Sequence, residues 1–340
     1  MSDAKPFLSI CILTYNRART LREALDSILP QLADHPEVEV YVSDNASPDD
    51  TEELVRGYCD LYRNLRYYRK PTNTEFDGNF VSCTESAAGE YVAYFSDDDI
   101  APPDFVERVL ADLKEHHPEV VYLNHAPFLN DDPALVGAPT QPVLKRLFTD
   151  RTEYFLYTGL GFISTLIVKT AEARKHVSKA VLGRGMAYVD ITARCVLSTP
   201  GPFLFDGTLT VLARYEQNSR YDVLSYGVMA YTEALHDLVR DGLLTEADVS
   251  WHNRKTIRLF LTRCIVNNRL NARRKVPARE LRKLYGREPS FYLVAYPLAL
   301  IPPPLLRIVA LPLRSLMRMR RRWRIKHGRK EPQPPHLAPK

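Results

Sequence analysis

Residues 91–99 read YVAYFSDDD, an apolar run followed at once by three aspartates. Short apolar runs rich in aromatic and aliphatic residues predict buried strands. Similar runs recur through the first 125 residues, with helical periodicity between them. This alternation is typical of βαβ units, so the predicted class is α/β, a Rossmann-like, mostly parallel sheet flanked by helices. The predicted strands are Phe7 to Leu13, Val38 to Ser43, Leu65 to Arg69, Tyr91 to Phe95 and Val120 to Leu123.

Polar clusters directly follow three of these predicted strands. In an open α/β sheet, ligands bind beyond the carboxyl ends of the strands, so the clusters are candidate binding loops that converge on one crevice. Their sequences are Thr14-Tyr15-Asn16-Arg17, Ser43-Asp44-Asn45-Ala46-Ser47 and Ser96-Asp97-Asp98-Asp99.

The three consecutive acids point to a divalent cation. Unpaired carboxylates at the end of a buried strand would repel each other and lose hydration. Oxygen ligands suit Mn²⁺ or Mg²⁺, which proteins usually hold with one or two carboxylates and the phosphates of a substrate. The alternative is a solvated acidic turn that caps a helix near Pro103.

Two start signals for helices accompany the first two loops. Thr20 and Glu23 have the spacing of a capping box. Ser47 is a candidate N-cap, with Pro48 as the first helical residue and Asp50 as a first-turn acid. No GxGxxG follows the first strand and no GxxxxGK[ST] occurs, which disfavours dinucleotide dehydrogenases and P-loop NTPases.

Charge is distributed unevenly along the 340 residues. Residues 314–330 contain nine Lys or Arg and no acid. Because the formal total is +5, residues 1–313 carry about −4. The basic tail predicts an anionic membrane surface as partner, and the body is not a basic nucleic-acid surface. The five widely spaced cysteines and the absence of a signal-like N-terminus predict a cytoplasmic location.

The remainder of the chain is predicted in segments. Residues 126–150 are rich in Pro and Gly and predict an exposed connection or an acceptor-side loop. We expect a nucleotide-binding half at 1–125, an acceptor-side half at 126–222, a helical region at 223–290 and a disordered tail at 331–340. Residues 291–313 are almost wholly apolar but contain five prolines. Because these prolines are incompatible with one regular spanning helix, we predict that 291–330 associates with the membrane through an interfacial or re-entrant segment; packing on protein is the alternative.

The N-terminal motifs resemble those of family-2 glycosyltransferases of the GT-A fold, within them the abequosyltransferase-like group that builds bacterial surface polysaccharides. The similarity covers about the first 115 residues, through LSICILTYNRARTLREALDSI, VEVYVSDNASPDDTEELV, the Asn79-Phe80 pair and GEYVAYFSDDDIAPPDFVERVL. Where many relatives have a glycine two residues after the asparagine of the third loop, this chain has Glu75 after Asn73.

The resemblance implies specific roles for residues in these motifs. Asp97 and Asp99 correspond to the outer acids of the metal-binding DxD motif, with Asp99 the more direct ligand. Asp44 would be directed at the base or ribose, although an Asx-turn is the alternative. Arg17 could instead be a solvated residue at a helix start. The residues implied in nucleotide-sugar binding are Thr14, Tyr15, Asn16, Arg17, Asp44, Asn45, Asn79, Asp97, Asp98 and Arg214.

An inverting transferase also needs a base for the acceptor hydroxyl. Many relatives place it in a Glu-Asp pair that opens a helix, and GRGMAYVDITARCVL offers Asp190, with Val189 in place of the first acid. The alternative is that Asp190 only caps a helix over Ile191 to Leu197. In LARYEQNSRYD, Arg214 or Arg220 could hold phosphate. His125 either lines the acceptor cleft or is structural.

The sequence therefore predicts a metal-dependent, inverting hexosyl or deoxyhexosyl transferase that uses Mn²⁺ or Mg²⁺. Its expected partners are a nucleotide diphosphate sugar and, by the resemblance, a lipid-linked saccharide in O-antigen or capsule assembly. The expected location is the cytoplasmic face of the cell membrane. Two alternatives remain open: an inactive membrane adaptor that binds nucleotide sugar, and a sugar nucleotidyltransferase.

Overall fold

The computed structural model describes residues 5–129, 132–178, 182–215, 222–270 and 275–308. The chain forms two compact units, residues 1–252 and 253–340. The first unit continues past the boundary predicted at residue 222, because its helical residues 224–252 belong to it.

The first unit contains a sheet of nine strands in the described residues. The strands are β1 Leu8–Thr14, β2 Val38–Asp44, β3 Leu65–Arg69, β4 Tyr91–Ser96, β5 Val120–Leu129, β6 Asp132–Val136, β7 Lys145–Phe148, β8 Leu166–Lys169 and β9 Phe203–Tyr215. Their order is β3-β2-β1-β4-β8-β5-β9-β7, and β6 pairs with β5. Strands β6, β7 and β8 run antiparallel to their neighbours and the other pairings are parallel.

Helices cover both faces of this sheet. In the first unit they are α1 Ala18–Ile28, α2 Thr51–Leu61, α3 Glu75–Ser86, α4 Phe105–His116, α5 Arg151–Thr158, α6 Thr170–Val177, α7 Ala187–Ser198 and α8 Tyr231–Arg240. Helix α9, Glu246–Thr256, follows and crosses the unit boundary. The predicted α/β class and the five predicted strands are confirmed, with ends that differ by a few residues at most except in β5.

Two apolar layers hold the helices on the sheet. Alternate residues of a strand point to opposite faces, so Ile10 and Ile12 pack in the layer that contains Leu25 of α1. Cys11 packs in the other layer, together with Phe80 of α3. Burial of each large apolar side chain contributes about 1.5–3 kcal/mol. The layers fix the strand ends from which the binding loops emerge.

Three local predictions are wrong. Helix α1 has Arg17 as its N-cap without a side-chain cap bond, and the Thr20 hydroxyl donates to the Arg17 carbonyl (3.2 Å) instead of forming a capping box. Helix α2 begins at Thr51 after Asp50, so Ser47 does not cap it. Residues 126–150 are not merely a connection, since they contain the end of β5 and strands β6 and β7.

The described residues of the second unit, 253–270 and 275–308, are largely helical. Its elements include α10 Thr262–Leu270, α11 Ala278–Tyr285, a π-helical turn at Phe291–Ala295 and α12 Tyr296–Leu300. No helix in the described ranges has the length and apolar character needed to cross a bilayer. The predicted basic tail at 314–330 and the disordered tail at 331–340 lie outside the described residues, as does Arg220.

Candidate functional site

The carboxyl ends of β1 and β2 are joined by backbone contacts. The Asn45 amide donates to the Thr14 carbonyl (3.0 Å), and the Asn16 amide donates to the Ser47 hydroxyl (2.9 Å). Because β1 is also paired with β4 in parallel, the three polar clusters lie at one edge of the sheet. The structure thus brings together the loops that the sequence placed there.

Each of the first three loops contains a residue with left-handed backbone geometry. These are Asn16 (φ 55°), Ala46 (φ 64°) and Glu75 (φ 58°). Such geometry costs an L-residue about 1–2 kcal/mol. The position of Glu75, where many relatives have glycine, therefore requires an unusual backbone conformation, and this chain adopts it with an ordinary residue.

Asp97 is buried at the end of β4 and faces Arg17. A guanidinium nitrogen of Arg17 lies 3.3 Å from Asp97 Oδ1, while the Asp97 side chain is 6% exposed. Burial raises the pKa of Asp97 to about 7, and the positive charge of Arg17 opposes this shift. The metal-free site therefore favours a protonated Asp97 below neutral pH.

Asp99 is also buried, but it is held by different partners. The Ser164 hydroxyl donates to Asp99 Oδ2 (2.5 Å), and the Arg214 amide donates to Oδ1 (3.1 Å). Burial, helped by the negative charge of Asp98, raises the pKa of Asp99 to about 8. Two neighbouring carboxyls thus share a strong tendency to take up a proton.

Asp98 lies between these two acids and is the more exposed of the three. Its Oδ2 atom is 2.6 Å from the Arg17 guanidinium, and its Oδ1 atom accepts from the Ser96 hydroxyl (2.5 Å). Across the described ranges, no three His, Cys, Asp or Glu side chains are grouped so as to hold a metal ion.

Asp44 is fully buried at the end of β2 and accepts several hydrogen bonds. Its Oδ1 atom accepts from the Ser47 amide (2.8 Å), and its Oδ2 atom accepts from the Tyr67 hydroxyl (2.7 Å). The Arg69 guanidinium lies 3.8 Å from Oδ2. The Ser47 amide lies three residues after Asp44, one further than in an Asx-turn. Through Tyr67 the carboxylate also fastens β3 to β2.

The side chain of Asn45 connects two loops. It accepts from the Thr74 amide (2.9 Å) and donates to Asn73 Oδ1 (2.9 Å) and to the Glu75 carbonyl (3.0 Å). These contacts hold the third loop against the second. Asn45 is buried, and its side chain is hydrogen-bonded within the protein.

Asn79 of α3 is likewise buried and connects a helix to a strand. It accepts from the Ser43 hydroxyl (2.6 Å) and donates to the Ser43 carbonyl (3.0 Å). Thr14 is buried too, whereas Tyr15, Asn16 and Arg17 are exposed at the start of α1. Of the residues predicted to bind the donor, these three are the most exposed, and Asp98 is partly exposed.

Arg214 supports the acid loop from β9. Its side chain is 1% exposed, its Nε donates to the Asp98 carbonyl (3.0 Å), and it pairs with Glu23 of α1. Its guanidinium also lies over the ring of Phe128, 4.7 Å from the centroid. To contact a phosphate, Arg214 would have to give up its contacts with the Asp98 carbonyl and Glu23.

Asp190 lies in the first turn of α7 and is buried in an ion pair. Arg194 Nε is 2.9 Å from Asp190 Oδ1, and Arg194 Nη2 is 2.7 Å from the half-exposed Asp241. The helix begins at Ala187 after Met186, so Asp190 is not its N-cap. The role of Asp190 as base stays a prediction.

Sequence reasoning missed two supporting residues, Ser164 and Asp77. Asp77 of α3 accepts from the amides of Arg184 (2.9 Å), Gly185 (2.8 Å) and Ala187 (2.9 Å), and so fixes the start of α7. Ser164 follows the short apolar stretch at 160–163, which was not predicted as a strand, and Asp77 lies within a helix, so neither residue was recognised.

His125 is in contact with other residues of the protein. Its ring stacks on Phe162 with centroids 4.1 Å apart, and its Nδ1 lies 3.1 Å from the Thr140 hydroxyl. Burial lowers the pKa of His125 to about 4, so the ring is neutral at physiological pH. These contacts agree with the structural alternative.

Comparison with known proteins supports a glycosyltransferase-type N-terminal region. Residues 9–164, slightly less than half of the chain, match the sequence model of glycosyl transferase family 2. An abequosyltransferase of Salmonella typhimurium is 38% identical over 102 residues, 28% of this chain and 29% of that protein. A validoxylamine A glucosyltransferase of Streptomyces hygroscopicus is 31% identical over 106 residues, 31% of this chain and 25% of that protein. The chain therefore matches less than a third of either relative.

Solved structures show the same fold at low identity. TarS residues 1–349 of S. aureus in complex with UDP-GlcNAc has a TM-score of 0.59 at 19% identity, covering 85% of this chain and 84% of that one. A mannosyltransferase from Pyrobaculum calidifontis in complex with GDP-Man and Mn²⁺ has a TM-score of 0.51 at 16% identity, covering 95% and 81%. The fold is of the GT-A type, as the resemblance implied.

Proposed function

We propose that this protein is a metal-dependent glycosyltransferase that takes a sugar from a nucleoside diphosphate donor. The observation that carries the proposal is the acid loop, Asp97 to Asp99, at the end of β4 beside the loops of β1 and β2. Two of its carboxyls are buried with raised pKa values, so a divalent cation would relieve an electrostatic cost that already exists.

The donor set is chemically suited to Mn²⁺ or Mg²⁺. Asp97 and Asp99 offer only oxygen atoms, and such ions complete their coordination with substrate phosphates and water. When bound, the ion would neutralise charge on the departing nucleoside diphosphate. Ser164 and the Arg214 amide would hold Asp99 in place, because each donates a hydrogen bond to one of its two carboxylate oxygens.

The exposed residues at the start of α1 are proposed to receive the donor. Tyr15, Asn16 and Arg17 are accessible and lie next to the acid loop. Four other residues of the predicted set are buried and would support these three: Thr14, Asp44, Asn45 and Asn79. The last three already have hydrogen-bond partners within the protein. A direct contact of Asp44 with base or ribose would require the Tyr67 hydroxyl or the Ser47 amide to give up its bond.

Inversion at the anomeric carbon is part of the proposal, with Asp190 as base. The Arg194 guanidinium, with Nε 2.9 Å from Oδ1, would hold the Asp190 carboxylate in a fixed orientation. Asp77 would act as a positioning residue, because it holds the turn that leads into α7. Transfer of a hexosyl or deoxyhexosyl group is the finer expectation from the abequosyltransferase-like resemblance.

Release of nucleoside diphosphate tests the enzyme proposal. A panel of nucleotide sugars with Mn²⁺ should give release from one donor, and Asp99→Ala should lose at least about 100-fold of this activity, the scale for loss of one transition-state stabilising group. Asp60→Ala, an exposed change at the end of α2, is the matched control. Metal-stimulated binding without release would instead identify an inactive adaptor, and release of pyrophosphate a nucleotidyltransferase.

A membrane surface is the proposed site of action, with a lipid-linked saccharide in O-antigen or capsule assembly as acceptor. In the second unit, one set of large apolar side chains is exposed, and we name it the apolar face. Its members are Tyr292, Leu293, Val294, Leu300, Leu305 and Ile308. Intervening residues of the same segment are buried, namely Phe291, Ala295, Leu298, Ala299 and Leu306.

The apolar face and the basic tail offer complementary contacts with an anionic bilayer. Leu293 and Ile308 are 80% and 69% exposed, so each can bury most of its apolar area in the interface. The nine Lys or Arg at 314–330 would each add about 1 kcal/mol near anionic headgroups. The proposed location is therefore the cytoplasmic side of the cell membrane, as a peripheral protein.

Vesicle co-sedimentation tests this partner. The double change Leu293→Ser and Ile308→Ser should weaken binding to vesicles with phosphatidylglycerol at least about tenfold, since a buried leucine contributes 1.5–3 kcal/mol. The control is Leu61→Ser with Val143→Ser, equally exposed positions of the first unit. Unchanged sedimentation, or a stable oligomer that buries the apolar face, would contradict the membrane proposal.

A further inference from the structure

Arg17 occupies an unusual position at the acid loop. Its guanidinium contacts Asp97 Oδ1 (3.3 Å) and Asp98 Oδ2 (2.6 Å), and its side chain is 48% exposed. The two acids are 80 and 81 residues away in sequence, so the contact depends on the tertiary fold. The positive charge of Arg17 thus balances the acid loop where a divalent cation is proposed to bind.

A guanidinium and a divalent ion cannot both take the same carboxylate positions. Arginine remains charged at any physiological pH, so pH does not remove this competition. Displacement must instead give Arg17 another anionic partner or expose it to water. A diphosphate is such a partner, because the fork of the guanidinium matches phosphate oxygens.

We propose that Arg17 is a resident counter-ion that couples metal binding to donor binding. Without donor, its guanidinium occupies the carboxylates of the acid loop and disfavours binding of a lone cation; when a nucleoside diphosphate binds, the guanidinium moves from the carboxylates to the phosphates. The inference rests on the proposed function and deepens it, because it assigns the order in which the two ligands are accommodated. Metal and nucleotide should therefore bind cooperatively, each strengthening the other by the same factor.

The surroundings permit Arg17 to move without leaving Asp98 unpaired. Asp98 keeps its bond from the Ser96 hydroxyl (2.5 Å) when the guanidinium departs. The second arginine of the loop, Arg214, lacks this freedom because it is buried and bonded to the Asp98 carbonyl and Glu23. Arg214 therefore fixes the backbone of the acid loop, whereas Arg17 balances the negative charge of its side chains.

Mn²⁺ binding without and with nucleotide tests this coupling directly. The free Mn²⁺ fraction is measured by electron paramagnetic resonance, first with protein and Mn²⁺ alone and then with UDP, GDP, CDP or dTDP added. Wild-type protein should bind Mn²⁺ weakly alone and at least about tenfold more tightly with one nucleotide. Arg17→Gln should bind Mn²⁺ alone about tenfold more tightly than wild type and should show reduced nucleotide enhancement.

Two further variants separate this effect from loss of charge or of fold. Arg19→Gln removes the same charge from an exposed position of α1 and should keep the wild-type affinity within about twofold, since Glu23 retains Arg214. Arg17→Lys keeps the charge without the fork and should fall between wild type and Arg17→Gln.

The outcomes distinguish the two levels of proposal. If wild type binds Mn²⁺ with nucleotide but Arg17→Gln binds Mn²⁺ alone no more tightly, the counter-ion role is wrong and the proposed function stands. If neither protein binds Mn²⁺ under any condition, both are wrong. Tight Mn²⁺ binding to wild type without nucleotide would also overturn the coupling.

Discussion

The loop after β1 and the loop after β2 lie side by side at the sheet edge, but their polar side chains have different surroundings. Tyr15, Asn16 and Arg17 are exposed, whereas Asp44 and Asn45 are buried and hydrogen-bonded within the protein. A polar residue after a strand can therefore either meet the ligand or hold the loop that meets it. Burial and hydrogen-bond partners separate the two roles, and sequence position alone does not.

The largest expected effect on stability is a contrast between Asp44 and Asp99. Asp44→Asn should lower the free energy of unfolding by about 2–3 kcal/mol, because it removes the charge that Tyr67 and Arg69 face in a buried setting. Asp99→Asn should leave it unchanged or raise it at pH 8, because it removes a buried carboxyl with a raised pKa. Urea denaturation at pH 8 measures both.

A control variant and a contradicting outcome complete this test. Tyr67→Phe, which removes one bond to Asp44, should cost about 1 kcal/mol, less than Asp44→Asn. A larger loss for Asp99→Asn than for Asp44→Asn would show that the acid loop, and not the β2 loop, is the structural one.

A smaller effect is the pH dependence of the metal-free protein. Asp97 and Asp99 have pKa values of about 7 and 8, raised above the usual value near 4. Between pH 4 and 8 the folded state binds more protons than the unfolded state, so the stability must fall as pH rises. We expect the free energy of unfolding to fall steadily across this window, measured by urea denaturation with a chelator present.

Two comparisons sharpen the pH result. Asp99→Asn should flatten the profile between pH 6 and 8, where Asp99 titrates. Mn²⁺ with the cognate nucleotide should stabilise the protein more at pH 8 than at pH 6, because metal binding requires ionised carboxylates. A metal-free stability that rises with pH over this range would exclude the raised pKa values.

The smallest expected effect concerns Glu75. Glu75→Gly should relieve its left-handed geometry (φ 58°) and stabilise the protein by about 0.5 kcal/mol, after the entropy of glycine in the unfolded chain is subtracted. His117→Gly is the matched control, because His117 ends α4 with φ 45°. If only Glu75→Gly changes the Michaelis constant for the donor, the third loop contacts that ligand.

The sequence predicted the fold well because the determining signals are local. Apolar runs such as Tyr91 to Phe95 and the polar residues that follow them are visible in one stretch, and the parallel sheet aligns their ends. The long-range contacts that support the site were not predictable, even for Arg214, which the sequence did select as a site residue. Ser164 and Arg214 reach Asp99 over 65 and 115 residues, and no pattern in one sequence encodes such a contact.

Helix starts were less well predicted for a related reason. Ser47 and Thr20 have favourable types for a cap, but both have other partners: Ser47 accepts from the Asn16 amide and its own amide donates to Asp44, while the Thr20 hydroxyl donates to the Arg17 carbonyl. Short polar side chains have several competing partners near a turn. Local preference therefore predicted that a helix was present more reliably than it predicted its first residue.

The antiparallel strand β8, inserted between β4 and β5, has a consequence for protein engineering. Because β8 runs against β4, the chain just before it arrives at the acid loop, where Ser164 binds both the Ser96 amide and Asp99. Chimeras that exchange everything after residue 125 between relatives would thus import the residue that anchors a host aspartate. Successful grafts should transfer Ser164 and the β9 backbone at Arg214 as a matched set with the acid loop.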